Sequence, residues 1–367
     1  MLYSFVYGNG HGDGNEPNGD LIFDDAGNLY GTTSRGGAYN GGTVFELSPT
    51  QSGQWNRTLL YSFGADPSEG LRPLAGVVRD AAGNLYGTLQ EGGSYATTCP
   101  ISDKTNLGCG TVFELSPVGG GQWTEQTLYM FQGGQDGEDP ESGLVLDASG
   151  NLYGSTLAGG TSGCKLDADT GCGTVFELAQ TGGAWTETII YTFDKDGFEG
   201  AYPSGVTFDA DGNLYGTTEY GGSGGWAGYC GNRLPFACGV VFELSPSQGS
   251  WNETIIHYFR GNQVNHLTDG YRCMAKPTFD ASGRLVGTTS YGGSNQGLDG
   301  WGVAFRLTPG PNGKWGEEHF NFISKNSGAY FPEYPLISDD AGNVYGVSYG
   351  GNPNGAWGVV YEITPED

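Results

Sequence analysis

Apolar and polar residues alternate along this chain in short runs, and four such runs recur together, six times over. In the fourth recurrence they are "GVTFD" (205–209), "NLYGTT" (213–218), "CGVVFELS" (238–245) and "ETIIHYF" (253–259). Alternation of period two over four to eight residues predicts half-buried β-strands. An Asp-x-x-Gly-Asn turn separates the first two runs, and Gly and Asn tolerate the positive φ of a tight hairpin. A short "QGSW" turn joins the third run to the fourth, whereas a long Gly-rich loop lies between the second and third. The pattern therefore predicts four antiparallel strands per repeat.

The period confirms that the unit is a repeat. "DDAGNLYGTTSRGG", "DAAGNLYGTLQEGG", "DASGNLYGSTLAGG", "DADGNLYGTTEYGG", "DASGRLVGTTSYGG" and "DDAGNVYGVSYGG" are copies of one phrase. Their shared glycine is Gly31, Gly87, Gly154, Gly216, Gly287 and Gly346, at spacings of 56, 67, 62, 71 and 59 residues. That period exceeds those of the common helical solenoids and suits a blade of a few strands. Residues 1–367 are accordingly read as one all-β domain, a six-bladed β-propeller. The chain opens on "LYSF" (2–5), which matches the fourth strand in "TLLYSF" (58–63) and "TIIYTF" (188–193). The last repeat, 335–365, stops after its third strand, "WGVVYEITP" (357–365). Strand 2–6 is therefore expected to complete the last blade and close the ring, leaving no exposed seam.

The phrase "GNLYGTT…GG…GTVFELSP" resembles the GloVer tandem repeat of secreted bacterial proteins, through all six copies. Its strand order is similar to that of NHL-type propellers. The fifth copy departs most, with Arg284, Val286 and Arg306 where the others hold Asn, Tyr and Glu. The resemblance implies an extracellular or surface-anchored propeller and no defined activity.

Composition narrows the partners. The formal charge is −26, from 15 Lys and Arg against 41 Asp and Glu. Binding to phosphate backbones requires cationic side chains, so a nucleic-acid partner is excluded, and an anionic membrane surface or polyanion would be repelled. No apolar run is long enough to cross a membrane, so membrane insertion is not expected. Neutral or cationic partners remain, and a monomer is expected. Cys99 with Cys109, Cys164 with Cys172, and Cys230 with Cys238 flank the same loop in three successive repeats. They are read as disulfides, which places the protein in an oxidising, extracellular compartment. A zinc site is the weaker alternative, because no His lies within those loops. Cys273 is left over. No secretory leader precedes "MLYSF", and one is expected to have been removed.

Three recurring sets read as architecture: Tyr30, Tyr86, Tyr153, Tyr215 and Tyr345 between blades; Trp55, Trp123, Trp185, Trp251 and Trp315 at blade edges; and Glu46, Glu114, Glu177, Glu243 and Glu362 as inter-blade anchors. The loops after strands two and four open on one face and vary. Trp226, Trp301 and Trp357 fall there, in blades four to six, with Tyr220, Tyr229, Tyr271, Tyr291, Tyr330, Phe331, Tyr334 and Tyr349. Flat apolar rings beside Asp, Asn and Gln suit a sugar, whose C–H face packs on the ring while its hydroxyls bond to polar groups. Packing of the loops against each other is the alternative.

Carboxylates gather before strand one: Asp13, Asp66, Asp136, Asp196 and Asp269 occupy similar places. Two of them across a pocket could hydrolyse a glycosidic bond, and turn stabilisation is the competing role. The loop "RGNQVNHLTDGYRCMAKP" (260–277) breaks the pattern and supplies the catalytic candidates His266 and Asp269. No nucleophile elbow, zincin helix motif or phosphate loop is present. No cofactor is expected, although "DKDG" (194–197) and "DADGN" (209–213) begin like calcium loops and lack the closing Glu. Three functions stay open: a module binding a neutral glycan, a glycoside hydrolase or polysaccharide lyase, and an extracellular scaffold.

Overall fold

A computed structural model describes residues 2–5, 13–66, 68–93, 99, 108–161, 163–164, 170–194, 196–222, 238–261, 269–293, 300–321, 331–339, 341–350 and 357–364. The fold is all-β and of the six-bladed β-propeller class, with two three-residue 3-10 turns as the helical elements among the described residues. It divides into two compact units, Met1–Ser162 with Asp169–Ile190, and Gly163–Ala168 with Tyr191–Asp367.

In the first unit, blade one pairs Gly14–Phe23, Leu29–Gly36, Thr43–Pro49 and Trp55–Ser62 in sequence order. Blade two pairs Val78–Arg79, Leu85–Leu89, Thr111–Gly119 and Gln122–Met130, and blade three Val145–Leu146, Leu152–Thr156, Thr174–Thr181 and Ala184–Thr192. The second unit holds blade four (Ala201–Phe208, Leu214–Tyr220, Val240–Ser247, Ser250–Tyr258) and blade five (Thr278–Phe279, Leu285–Thr289, Val303–Pro309, Trp315–Asn321). Its sixth sheet has three strands among the described residues, Ile337–Ser338, Val344–Gly350 and Trp357–Ile363. Residues 2–5 carry no strand assignment.

The repeated phrase folds through two devices. The Asp of each turn is a four-way acceptor: Asp24 Oδ1 takes the Ala26 and Asn28 amides, and Oδ2 takes Asn28 Nδ2 and the Tyr30 hydroxyl. Asp209 and Asp339 repeat the backbone bonds, and in the fifth copy Arg284 Nε replaces the Asn amide on Asp280 at 2.6 Å. The shared glycine does a different job from the turn glycine. It faces the third-strand aromatic in register, as Gly216 faces Phe242. A Cβ on Gly216 would lie 2.2 Å from the Phe242 ring, and one on Gly154 2.7 Å from Phe176. Only a bare backbone lets that fully buried ring lie across strand two.

Each blade lends a ring to the next. Phe63 at the end of strand four meets Phe113 at 4.9 Å, Phe131 meets Phe176 at 5.2 Å, Phe193 meets Phe242 at 5.3 Å and Phe259 meets Phe305 at 5.2 Å. Phe5 meets Phe45 at 5.0 Å in the same way, so residues 2–5 make the contacts of a fourth strand against blade one. Hydroxyls join neighbouring blades as well: Thr32 donates to the Ala75 carbonyl, Thr88 to Ser142 and Thr217 to Ala275.

Two of the recurring sets join blades. Tyr86 meets Trp185, and Tyr215 meets Trp315 at 5.7 Å, so the tyrosines and tryptophans form one inter-blade contact. The recurring Glu differs from expectation: it accepts from the Tyr of its own blade, as Glu177 does from Tyr153 at 2.8 Å. The cause is register, since the two residues stand opposite each other on strands two and three.

Candidate functional site

At or before the start of strand one, each blade has one left-handed residue: Glu16, Arg72, Asp139, Tyr202, Arg272 and Phe331, with φ between 54° and 63°. Pro follows in five blades, and Cys273 takes its place in the other. This residue ties two blades together. The Arg272 amide donates to the Cys238 carbonyl of blade four, and its carbonyl accepts from Ser290 of its own blade. Arg72 and Asp139 do the same in the first unit. A non-Gly residue at such φ costs roughly 1–3 kcal/mol and persists only where its surroundings hold it. The side chain it aims is therefore fixed.

In the second unit these side chains converge with the ends of the second strands. Arg272 Nε donates to Glu219 Oε2 at 3.1 Å. Its guanidinium lies 5.9 Å from the Tyr220 ring and 6.0 Å from the Tyr291 ring. Tyr202 meets Tyr220 edge-on, and Tyr271 stacks on Tyr291 with rings 5.2 Å apart and 17° from parallel. Phe331 touches Tyr291 at 5.1 Å and Trp301 at 5.9 Å. The result is a guanidinium bracketed by two tyrosines and continued by a row of rings, most of them half-buried. The corresponding positions of blades one and two hold ion pairs, Arg35 with Glu16 and Arg72 with Glu91.

The charges here are strongly perturbed. Burial raises the pKa of Glu219, and Arg272 only partly offsets this. Burial raises Glu333 as well, again against Arg272. Burial alone would lower Arg272, but Glu219, Tyr220 and Tyr291 together outweigh it and raise its pKa. The Ser290 hydroxyl, fully buried beside this group, has no hydrogen-bond partner among the described residues. Such a set offers ring faces, a fixed donor and buried acceptors, the groups a sugar ring requires.

A second recurring set lies at the blade junctions. The residue two before the lent Phe bonds to a loop carboxylate: Tyr3 to Asp13, Tyr61 to Glu69, Tyr129 to Asp136, Tyr191 to Glu199 and His257 to Asp269. The next blade adds the second residue after its Trp. In blade one this is Arg57, 3.2 Å from Asp13. In blades two, three and four it is a carboxyl. Burial, with Glu69 beside it, pushes Glu125 up to about 7. Burial and Asp136 push Glu187 up to about 8, and burial and Glu199 push Glu253 up to about 7.

The sequence candidates distribute as follows. Trp301 and Tyr271 belong to the ring cluster, and Tyr334 is half-buried just before blade six. Trp357 opens the third strand of the last blade opposite Gly350. Trp226, Tyr229, Cys230 and His266 lie outside the described residues. Asp269 is buried at a junction, where its carboxylate takes His257 Nε2 and the Arg260 amide. Asp66 bonds to Ser68 in its own turn, and Glu69 and Glu199 hold the junction places assigned from sequence to Asp66 and Asp196. Sequence reading missed Glu219 and His257. The signal for His257 was present: "IIHYF" stands where other repeats read "LYSF" or "IYTF". Cys99 and Cys109 form a disulfide, and Cys164, Cys172 and Cys238 are disulfide-bonded as well. Cys273 is free and buried.

The blades and their shared phrase define a tandem-repeat β-propeller. Within it, residues 95–229 match the Gloeobacter/Verrucomicrobia repeat. No curated protein matches the chain. Among solved structures, a protein of unknown function from Dyadobacter fermentans DSM 18053 is 12% identical, with 98% of this chain and 96% of that one aligned and a TM-score of 0.51. An ulvan lyase of a polysaccharide lyase family, bound to -[GlcA(1-4)Rha3S]-, is 11% identical over 90% of this chain and 78% of its own, with a TM-score of 0.48. Likenesses of this size concern the fold and carry no function with them.

Proposed function

We propose that this is an extracellular carbohydrate-binding propeller that recognises a neutral glycan at the Tyr220–Arg272–Tyr291 cluster. The observation that carries the reading is the left-handed Arg272, held between two tyrosines and paired with a buried Glu219. Sugar faces stack on such rings while hydroxyls exchange bonds with the guanidinium, the carboxylates and Ser290. Arg272 is already neutralised by Glu219, and the chain carries a charge of −26, so an uncharged ligand is favoured over an acidic one. The disulfides suit a protein outside the cell.

The test is a glycan array together with pull-down on insoluble polysaccharides. A neutral polysaccharide should be retained, and Tyr291→Ala or Trp301→Ala should weaken retention by about tenfold, equivalent to ~1.4 kcal/mol. Retention unchanged in both variants, or no retention of any polysaccharide, would overturn the proposal. Release of reducing ends or unsaturated products from the retained polymer would show catalysis instead of binding alone.

A further inference from the structure

The junction between blades four and five differs from its counterparts in one respect that changes its chemistry. At four other junctions the strand-four residue is a tyrosine, a hydroxyl donor to a carboxylate. Here it is His257, whose Nε2 lies 3.2 Å from Asp269 Oδ2 and 3.7 Å from Glu317 Oε1. The three ligand atoms all lie within 4.8 Å of one another. His319 stands two residues beyond Glu317 on the same strand face, with Nδ1 3.8 Å from the same Glu317 oxygen.

We propose that His257, Asp269 and Glu317 form a binding site for a divalent transition-metal ion of the zinc type. Imidazole and carboxylate ligands hold zinc at about 2.0–2.2 Å, so neighbouring donors around a tetrahedral ion stand about 3.3–3.6 Å apart. The separations of 3.2 and 3.7 Å from His257 bracket that spacing without movement of the backbone. One nitrogen and two oxygens suit an ion of intermediate softness, where calcium would require six or more oxygens. Asp269 is pre-oriented, because its other oxygen accepts the Arg260 amide at 2.8 Å. Such partners outside the metal shell fix a ligand's direction. The Asp269 side chain is 8% exposed and that of Glu317 27%, which leaves the ion an open side for water or a fourth ligand such as His319. Blade one varies the set differently, placing Arg57 against its loop carboxylate beside Tyr3, whereas here the blade-four histidine lies between two carboxylates.

Zinc chloride titrated calorimetrically into the chelator-treated full chain tests this, with cobalt(II) absorption as a geometry readout. One equivalent should bind and give a tetrahedral cobalt spectrum. His257→Tyr restores the residue used at the other junctions and so retains the fold; it should lose that equivalent or bind at least tenfold more weakly. Glu317→Gln should weaken binding similarly. An unchanged equivalent in His257→Tyr, or no uptake by the unaltered protein at micromolar zinc, would overturn the site.

Discussion

Glu187 gives the sharpest test of the junction electrostatics. Its carboxyl is pushed up to about 8 by burial and by Asp136, against about 4.3 in an unfolded chain. Between those values the folded protein keeps a proton that the unfolded chain releases, so stability falls as pH rises from about 4 to about 8 and is flat above. A shift of that size is at most about 5 kcal/mol at 1.36 kcal/mol per unit. Glu187 is only half-buried, and screening by water reduces the effect to about 1–2 kcal/mol. The perturbation is Glu187→Gln, which removes the charge and keeps the shape. Melting temperature is measured from pH 5 to pH 9 for both proteins. The excess of the variant over the original should be smallest at pH 5 and grow to about 2 °C or more at pH 8–9. The difference between the two profiles isolates this group from the general effect of a −26 chain. Asp136→Asn should remove part of the same slope, because it takes away the neighbouring charge. Parallel profiles across the whole range would refute the reasoning.

Gly216→Ala should destabilise by about 2–3 kcal/mol in denaturant melts, because its Cβ would lie 2.2 Å from the fully buried Phe242 ring. Phe5→Ala should cost about 3 kcal/mol, comparable to Phe63→Ala, because Phe5 packs on Phe45 as Phe63 packs on Phe113. Cys273→Pro, which installs the residue used in the other five blades, should stabilise by about 0.5–1 kcal/mol in chemical denaturation. In the unaltered protein the Cys273 thiol should resist a disulfide-exchange reagent until the chain unfolds, since burial raises its pKa well above the ordinary range.

The blade was legible because its signals are local. Alternation gives the strands, the Asp-x-x-Gly-Asn turn gives their hairpin, and spacing gives their number. The strands assigned to blade four from sequence, such as 213–218 and 238–245, overlap Leu214–Tyr220 and Val240–Ser247 closely. The shared glycine was visible as a pattern but not as a cause, because the ring above it comes from a strand 26 residues away, Phe242 over Gly216. The recurring Glu was placed between blades because sequence shows recurrence and not register. The candidate site was half legible. Trp301, Tyr271, Tyr291 and Phe331 stood out as aromatic surplus in the later blades, and the structure groups them. Glu219 did not, because its importance comes from burial, which leaves no local motif. His257 was hidden by rank: a change of one residue in a strand looked like drift beside the longer, odder loop that follows it.

The lent phenylalanine has a consequence for how such chains change length. Among the described residues, blades one to four each donate one ring forward, as Phe63 does to Phe113 and Phe131 to Phe176. Duplicating or deleting a whole repeat preserves that exchange at each new boundary, whereas a cut inside a repeat leaves a bare ring or an empty socket. A whole repeat is therefore the smallest piece that can be gained or lost with its aromatic exchange intact.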